Sequence, residues 1–224
     1  MSVKSLIVII LATIPFLFMS KKENETVFTH ALVYRYETLT DKGEFWLYHN
    51  PKTGSILYVP KDEMIDAVIA DTLGNYYFYG DDGHGNKTIT TQFLDWVSDS
   101  LFITNDILPT SDTLITFEPI SEKRLIHNVE NGQVDIECRG FKMLYHKMSH
   151  QQNIYLTENI AINSYQIYGF NRLEGDIQLP VKQLDMIGIV SKKQLLTHAE
   201  SDVLKIELVA YEYNPYWFDI ERYK

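Results

Sequence analysis

After Glu25, apolar and polar residues alternate with a period of two, which is typical of β-strands. Between positions 27 and 36 this alternation places Tyr34 and Tyr36 on one side of a strand. Turn signals at Asp41-Lys42-Gly43 and at positions 50–54 separate two further short strands, 44–49 and 55–59. The pattern therefore predicts a three-stranded meander.

Residues 64–71 fit either a helical stripe or a strand face, and we favour a strand because Leu73-Gly74-Asn75 resembles a hairpin turn into Asn75–Tyr79. Short helices are predicted at Gln92–Asp99 and around Lys192–His198, and Pro215 is expected to end the last strand. Later strands rich in β-branched and aromatic residues are predicted at 113–118, 133–138, 141–146, 154–157, 164–168 and 203–213. Together these elements predict a mainly β fold, a single curved antiparallel sheet resembling a half-barrel, with a few short helices.

The first 20 residues have the pattern of a secretory signal peptide. Lys4 is followed by an uncharged stretch of 15 residues, and polar residues resume after Ser20. A membrane-spanning helix needs about 20 apolar residues, so a cleaved leader is the better interpretation, with an uncleaved anchor as the alternative. No change in composition divides the remainder, so residues 21–224 are expected to form one β-rich domain, exported to the periplasm or associated with the outer membrane.

Composition narrows the classes of partner. The 224 residues carry 20 Lys and Arg against 30 Asp and Glu, a formal net charge of −10, which disfavours nucleic-acid binding. The single cysteine, Cys138, rules out an internal disulfide bond. We interpret Cys138 as a small buried apolar residue on a strand, since no neighbouring motif supports a nucleophile.

The aromatic content of the strands suggests a binding surface. The chain has 15 Tyr, 11 Phe and 3 Trp, and the run from Tyr76 to Tyr79 must place rings on both faces of a strand. Such a sheet either packs both faces internally or uses one face to hold an acyl chain or a protein partner. The candidate ligand-binding residues are Tyr77, Tyr79, Trp96, Tyr211 and Trp217.

Catalytic and metal-binding patterns are weak. His146 and His150 have the spacing of zinc ligands on a helix, but Lys147 replaces the glutamate of metalloproteases, and exposed residues at a hairpin end are the favoured interpretation. Asp81, Asp82 and Asn86 could bind calcium weakly, although they lack the EF-hand order, so a solvated turn is favoured. We assign no catalytic residue, no metal and no cofactor.

Three short segments resemble a known family. Gly140-Phe141-Lys142, the run from Tyr155 to Ile160, and Tyr168-Gly169-Phe170-Asn171 follow the order seen in secreted Gram-negative envelope proteins named for a Gly-Leu-Pro-Gly-Leu-Ile signature. More distantly, they are similar to LolA-like lipoprotein-carrier half-barrels. The resemblance covers about residues 133–180, and Phe170–Gly175 stands where the signature is expected. It implies a curved antiparallel sheet in the periplasm, no catalytic residues and a hydrophobic ligand.

Three functions remain open from the sequence. The leading hypothesis is a non-enzymatic exported cell-envelope protein that accommodates a lipid-like ligand or an envelope protein partner on its curved sheet. The second is a hydrolase that uses paired carboxylates or a histidine-bound metal. The third is a structural or assembly factor that pairs through a sheet edge.

Overall fold

A computed structural model describes residues 25–94, 115–128, 136–145, 150–160, 162, 164–173, 177–181 and 194–223. Within these ranges, helical structure is limited to α1 (Ser164–Gly169) and two 3-10 turns, Phe170–Arg172 and Ile220–Arg222. The strands are β1 (Glu25–Thr38), β2 (Lys42–Asn50), β3 (Ser55–Tyr58), β4 (Ile65–Ala70), β5 (Asn75–Asp81), β6 (Lys87–Phe93), β7 (Ile115–Asn128), β8 (Ile136–Tyr145), β9 (His150–Thr157), β10 (Leu195–Glu200) and β11 (Leu204–Asp219). The fold is mainly β, as the sequence predicted.

The strands form one sheet from two meanders joined by β11. Strands β1 to β6 pair in sequence order, and β7 to β10 form the second meander. One edge of β11 pairs with β1 along its whole length. The other edge contacts β10 at Lys205–Glu207 and β7 at Ala210–Tyr211, the latter being the single parallel pairing in the described sheet. Both ends of the second meander thus meet the same edge of β11, so β7 to β11 curl round on themselves, while the curved sheet as a whole stays open at β6.

The main core lies on the inner face of this curve. Side chains from both meanders meet there in one cluster, which includes Leu32, Leu47, Ile56, Tyr58, Val68, Tyr76, Ile126, Cys138, Ile154, Leu196 and Leu208. The described residues between Ile160 and Val181, which we call the cover, pack onto the same cluster through Ile167 and Phe170 among others. The chain therefore fills its own inner face.

A second, smaller core lies on the outer face and arises from a bend in β1 and β11. The register of this pair is interrupted between Phe28 and His30, which face Tyr216 and Tyr213. Such irregularities bend strands. Beyond the bend, the paired ends of β1 and β11 cross the outer face. There they pack in a cluster that consists of Phe28, Leu57, Ala67, Ile69, Tyr79 and Phe218. The sheet thus has an apolar core on each face.

The first half of the chain follows its predicted strands most closely. The meander is confirmed, and residues 65–70 form the strand β4. The helix predicted at Gln92–Asp99 is wrong where it is described, because Gln92 and Phe93 belong to β6; its remaining positions from 95 onward lie outside the described residues.

Four later predictions differ from the structure. Residues 164–168 belong to helix α1 and not to a strand, and the helix expected around Lys192–His198 is replaced from Leu195 by β10, whose residues up to Ala199 are buried. The strands predicted at 133–138 and 141–146 are one strand, β8, in the described range. Pro215 does not end β11, since it falls in the register gap of the bend, where its missing N–H removes no ladder bond.

Candidate functional site

The predicted ligand-binding residues are divided between the two faces of the sheet. Tyr211 belongs to the inner-face core, whereas Tyr77 and Tyr79 pack in the outer-face core. Trp217 lies opposite Val27 in the bent ribbon and is 59% exposed. Trp96 lies outside the described residues. Binding by these residues stays a prediction, and the four described rings do not form a single surface.

Tyr211 lies in a buried group of polar rings on the inner face. Its ring stacks on His30 with centroids 5.0 Å apart, and its hydroxyl lies 3.1 Å from Nδ1 of His49. His30 and His49 are cross-strand neighbours on β1 and β2. Burial, with a smaller contribution from His30, lowers the pKa of His49 to about 4, so its imidazole is neutral at pH 7. His49 is therefore a buried, neutral imidazole in contact with the hydroxyl of Tyr211.

Tyr79 is held by the C-terminal end of the chain. Its ring contacts Phe218 and Tyr223 edge-on, each with centroids 5.1 Å apart. The hydroxyl of Tyr223 donates to Oδ2 of Asp66, 3.0 Å away, which also pairs with Lys87. Tyr79 is therefore a packing residue beneath an ordered tail.

The cover is attached to the inner face by one buried amide. Nε2 of Gln166 donates to the carbonyl oxygens of Gly54 and Ala70 at 2.9 and 3.1 Å, and the hydroxyl of Tyr76 donates to the carbonyl of Gln166. Oε1 of Gln166 and Oδ1 of Asn171 are buried and accept no hydrogen bond from the described residues. A buried acceptor left unpaired costs about 1–3 kcal/mol, so the cover is held less well than its burial suggests.

A charged groove of about 380 Å³ lies where β1, β2 and β11 run side by side. Its charged lining consists of Arg35, Glu37, Lys42, Glu44, Lys205 and Glu207. This charged groove was not predicted from the sequence. Strands β1, β2 and β11 each carry two opposite charges that are two residues apart, which is visible in the sequence. Nothing in the sequence indicated, however, that β11 lies beside β1.

The weaker metal patterns gain no support from the described geometry. The carboxylate of Asp81 accepts N–H groups of Gly83 and Gly85, and that of Asp82 accepts those of His84 and Asn86, so both serve the loop itself. His150 begins β9 opposite Tyr145 at a hairpin end, whereas position 146 lies outside the described ranges. Where side chains are described, no three His, Cys, Asp or Glu residues cluster closely enough to hold a metal ion.

Cys138 is buried on β8, as predicted, and burial raises the pKa of its thiol.

In the part of the chain that the structure describes, no helix has the length and apolar character needed to cross a membrane. Neither the known protein-family models nor the curated proteins contain a match to this chain.

Proposed function

We propose that this protein is a non-enzymatic, exported binding protein of the cell envelope that accommodates a lipid-like ligand on the inner face of its curved sheet. The observation that carries the proposal is the way the inner face is closed. A short, partly helical cover places apolar side chains on the sheet but buries Gln166 Oε1 and Asn171 Oδ1 without a hydrogen-bond partner among the described residues. An acyl chain that displaces the cover replaces apolar contacts with apolar contacts and returns two polar atoms to water.

The chemistry of the inner face supports an apolar ligand. In the described ranges, the buried polar side chains are His, Gln and Thr, with no buried Asp, Glu, Lys or Arg. A ligand in this place would find no ionic partner for a charged group. Its apolar part would therefore lie inside, with any charged headgroup at the open side of the sheet.

The test is co-purification of lipid together with binding of a defined probe. The full chain, recovered from the periplasm of a Gram-negative host, is analysed by native mass spectrometry and lipid extraction, and then titrated with the fluorescent fatty acid parinaric acid. We expect bound lipid and saturable parinaric acid binding. Gln166→Ala releases the cover from two carbonyls, so it should accelerate probe uptake.

Tyr223→Phe is the control, because it removes a hydrogen bond on the outer face and leaves both bonds of Gln166 intact. It should leave probe uptake unchanged. Failure of both the wild-type chain and Gln166→Ala to bind lipid or parinaric acid would refute the ligand role. Equal acceleration by Tyr223→Phe would show that loss of stability, and not opening of the cover, admits the probe.

A second candidate function, pairing with a partner strand through a sheet edge, is favoured by strand β6. Seven register pairs without a shift join it to β5, and its other edge has no strand partner among the described residues. Neighbouring residues of a strand direct their N–H groups to opposite edges. Of Thr90→Pro and Thr91→Pro, only the variant that removes an N–H group on the free edge should therefore abolish partner pairing without breaking the ladder to β5. Cross-linking in intact cells reports the pairing, and recovery of monomer alone would contradict it.

A further inference from the structure

Charged side chains on three neighbouring strands form two rows of alternating sign on the outer face. The register places Glu44, Arg35 and Glu207 in one row across β2, β1 and β11. The next row, two residues further along each strand, contains Lys42, Glu37 and Lys205. We call these six residues the charge lattice. Nη2 of Arg35 lies 3.0 Å from Oε1 of Glu44, and the two side chains are 61% and 44% exposed.

The alternation holds along each strand as well as across the strands, and this gives the lattice a specific symmetry. A two-fold rotation about an axis parallel to the rows, midway between them, brings each residue opposite its neighbour two positions along the same strand. Arg35 of one copy then meets Glu37 of the other. The same rotation pairs Glu44 with Lys42 and Glu207 with Lys205, so every contact joins opposite charges. A rotation about an axis along β1 would instead place Glu44 of one copy against Glu207 of the other, and this repulsion between like charges disfavours it.

Exposed apolar side chains lie where the same rotation would place them in contact. Beyond the Lys42 row lie two adjacent turns that present Leu39, 75% exposed, and Val203, 38% exposed. Beyond the Glu44 row lies Trp46, which is 38% exposed. Row spacing on one face is about 7 Å on both sides, so the rotation carries the Leu39 turn to a place one strand away from Trp46 of the other copy. Charge and apolar surface therefore select the same arrangement.

We propose that the outer faces of two copies of this chain dock through the charge lattice, with Leu39 of each copy against Trp46 of the other. This interface is isologous, because each copy contributes the same patch. Three strands by four rows cover roughly 400 Å² per copy, about half of the roughly 800 Å² of a standard stable interface. The dimer is therefore weak, reversible and sensitive to salt, and the facing grooves hold water. It does not depend on a ligand at the inner face.

The test is sedimentation velocity of the purified chain over a concentration series at about 0.05 M and about 0.5 M salt. We expect a monomer–dimer equilibrium that weakens as salt rises. Arg35→Glu reverses two symmetric contacts and should raise the dissociation constant by about tenfold or more. Lys123→Glu is its matched control, since Lys123 pairs with Glu137 at an exposed site away from the lattice.

Leu39→Ser provides a variant that leaves folding intact, because Leu39 lies in an exposed turn. Its control is Leu73→Ser, which changes a turn leucine of the same 75% exposure elsewhere. Leu39→Ser should weaken the dimer and Leu73→Ser should not. Reversal of all six lattice charges preserves the alternation, so that variant should dimerise with itself but not with the wild-type chain.

Three results would overturn the proposal. One is a monomer at every concentration in low salt, and another is a dimer that Arg35→Glu and Leu39→Ser leave unchanged. The third is equal weakening by the control variants, which would indicate non-specific association. A dimer that responds only to Thr90→Pro or Thr91→Pro would assign the contact to the β6 edge instead.

Discussion

His49 on β2 and Tyr211 on β11 are joined across the intervening strand β1 by a 3.1 Å contact between the imidazole Nδ1 and the phenolic oxygen. Both side chains are buried on the inner face, and Nε2 of His49 has no hydrogen-bond partner among the described residues. Among the described residues, no buried Asp or Glu side chain can neutralise a proton added to this imidazole. Burial of this imidazole therefore makes the stability of the inner face dependent on pH.

The sign of this dependence follows from the pKa of His49, which is about 4 in the folded chain and near 6.5 in an unfolded one. Between these values only the unfolded chain binds the proton, so stability is full above about pH 6.5 and falls towards pH 4, by up to about 3 kcal/mol. Urea unfolding across this range measures the effect. His49→Gln should flatten the dependence, whereas Tyr211→Phe should retain it; equal slopes in wild type and His49→Gln would contradict the assignment.

The sequence predicts local strands well because alternation depends only on nearby residues, and β1 to β5 are the clearest examples. It is misleading where burial is two-sided or the element is very short. Leu195 to Ala199 lie between β9 and β11 and are all buried, so their side chains show no alternation that would distinguish a strand from a helix. Helix α1 has six residues, too few to display a helical period.

The candidate sites depend on contacts between distant parts of the chain. The charge lattice requires Glu207 beside Arg35, and the polar cluster requires Tyr211 near His49. A hairpin sets its own register locally, but no local pattern specifies that β11 returns to β1. Aromatic content correctly predicted apolar residues on both faces, yet it did not separate packing rings such as Tyr79 from exposed rings such as Trp217.

Substitution by alanine should distinguish these two rings. Tyr79 is buried beneath Phe218 and Tyr223, so Tyr79→Ala should lower the free energy of unfolding by about 3 kcal/mol through the cavity it leaves. Trp217 is largely exposed, so Trp217→Ala should change stability by no more than about 0.5 kcal/mol. Denaturant unfolding of both variants provides the measurement, and a large loss for Trp217→Ala would show that this ring packs on the protein.

Gly169 should tolerate no side chain, because a Cβ atom there would overlap the hydroxyl of Tyr76. Its backbone is ordinary right-handed helix, with φ of −57°, so alanine is locally favourable and the cost is purely steric. We expect Gly169→Ala to destabilise the chain by about 3 kcal/mol. Gly85→Ala is the control, since its Cβ meets nothing within 4 Å and only its positive φ is strained, at about 1 kcal/mol. Thermal unfolding that ranks the two variants the other way would contradict the close packing of α1 on β5.

Cys138 should be chemically inert until the chain unfolds. Its side chain is fully buried in the inner-face core, and burial raises the pKa of the thiol, which lowers the fraction of reactive thiolate. Ellman's reagent should therefore react with the native chain only at the rate of opening, and at once in denaturant. Leu73→Cys places a thiol in an exposed turn and should react immediately under native conditions. Fast reaction of Cys138 in the native chain, at a rate that denaturant leaves unchanged, would show that reagents reach the inner face without displacement of the cover.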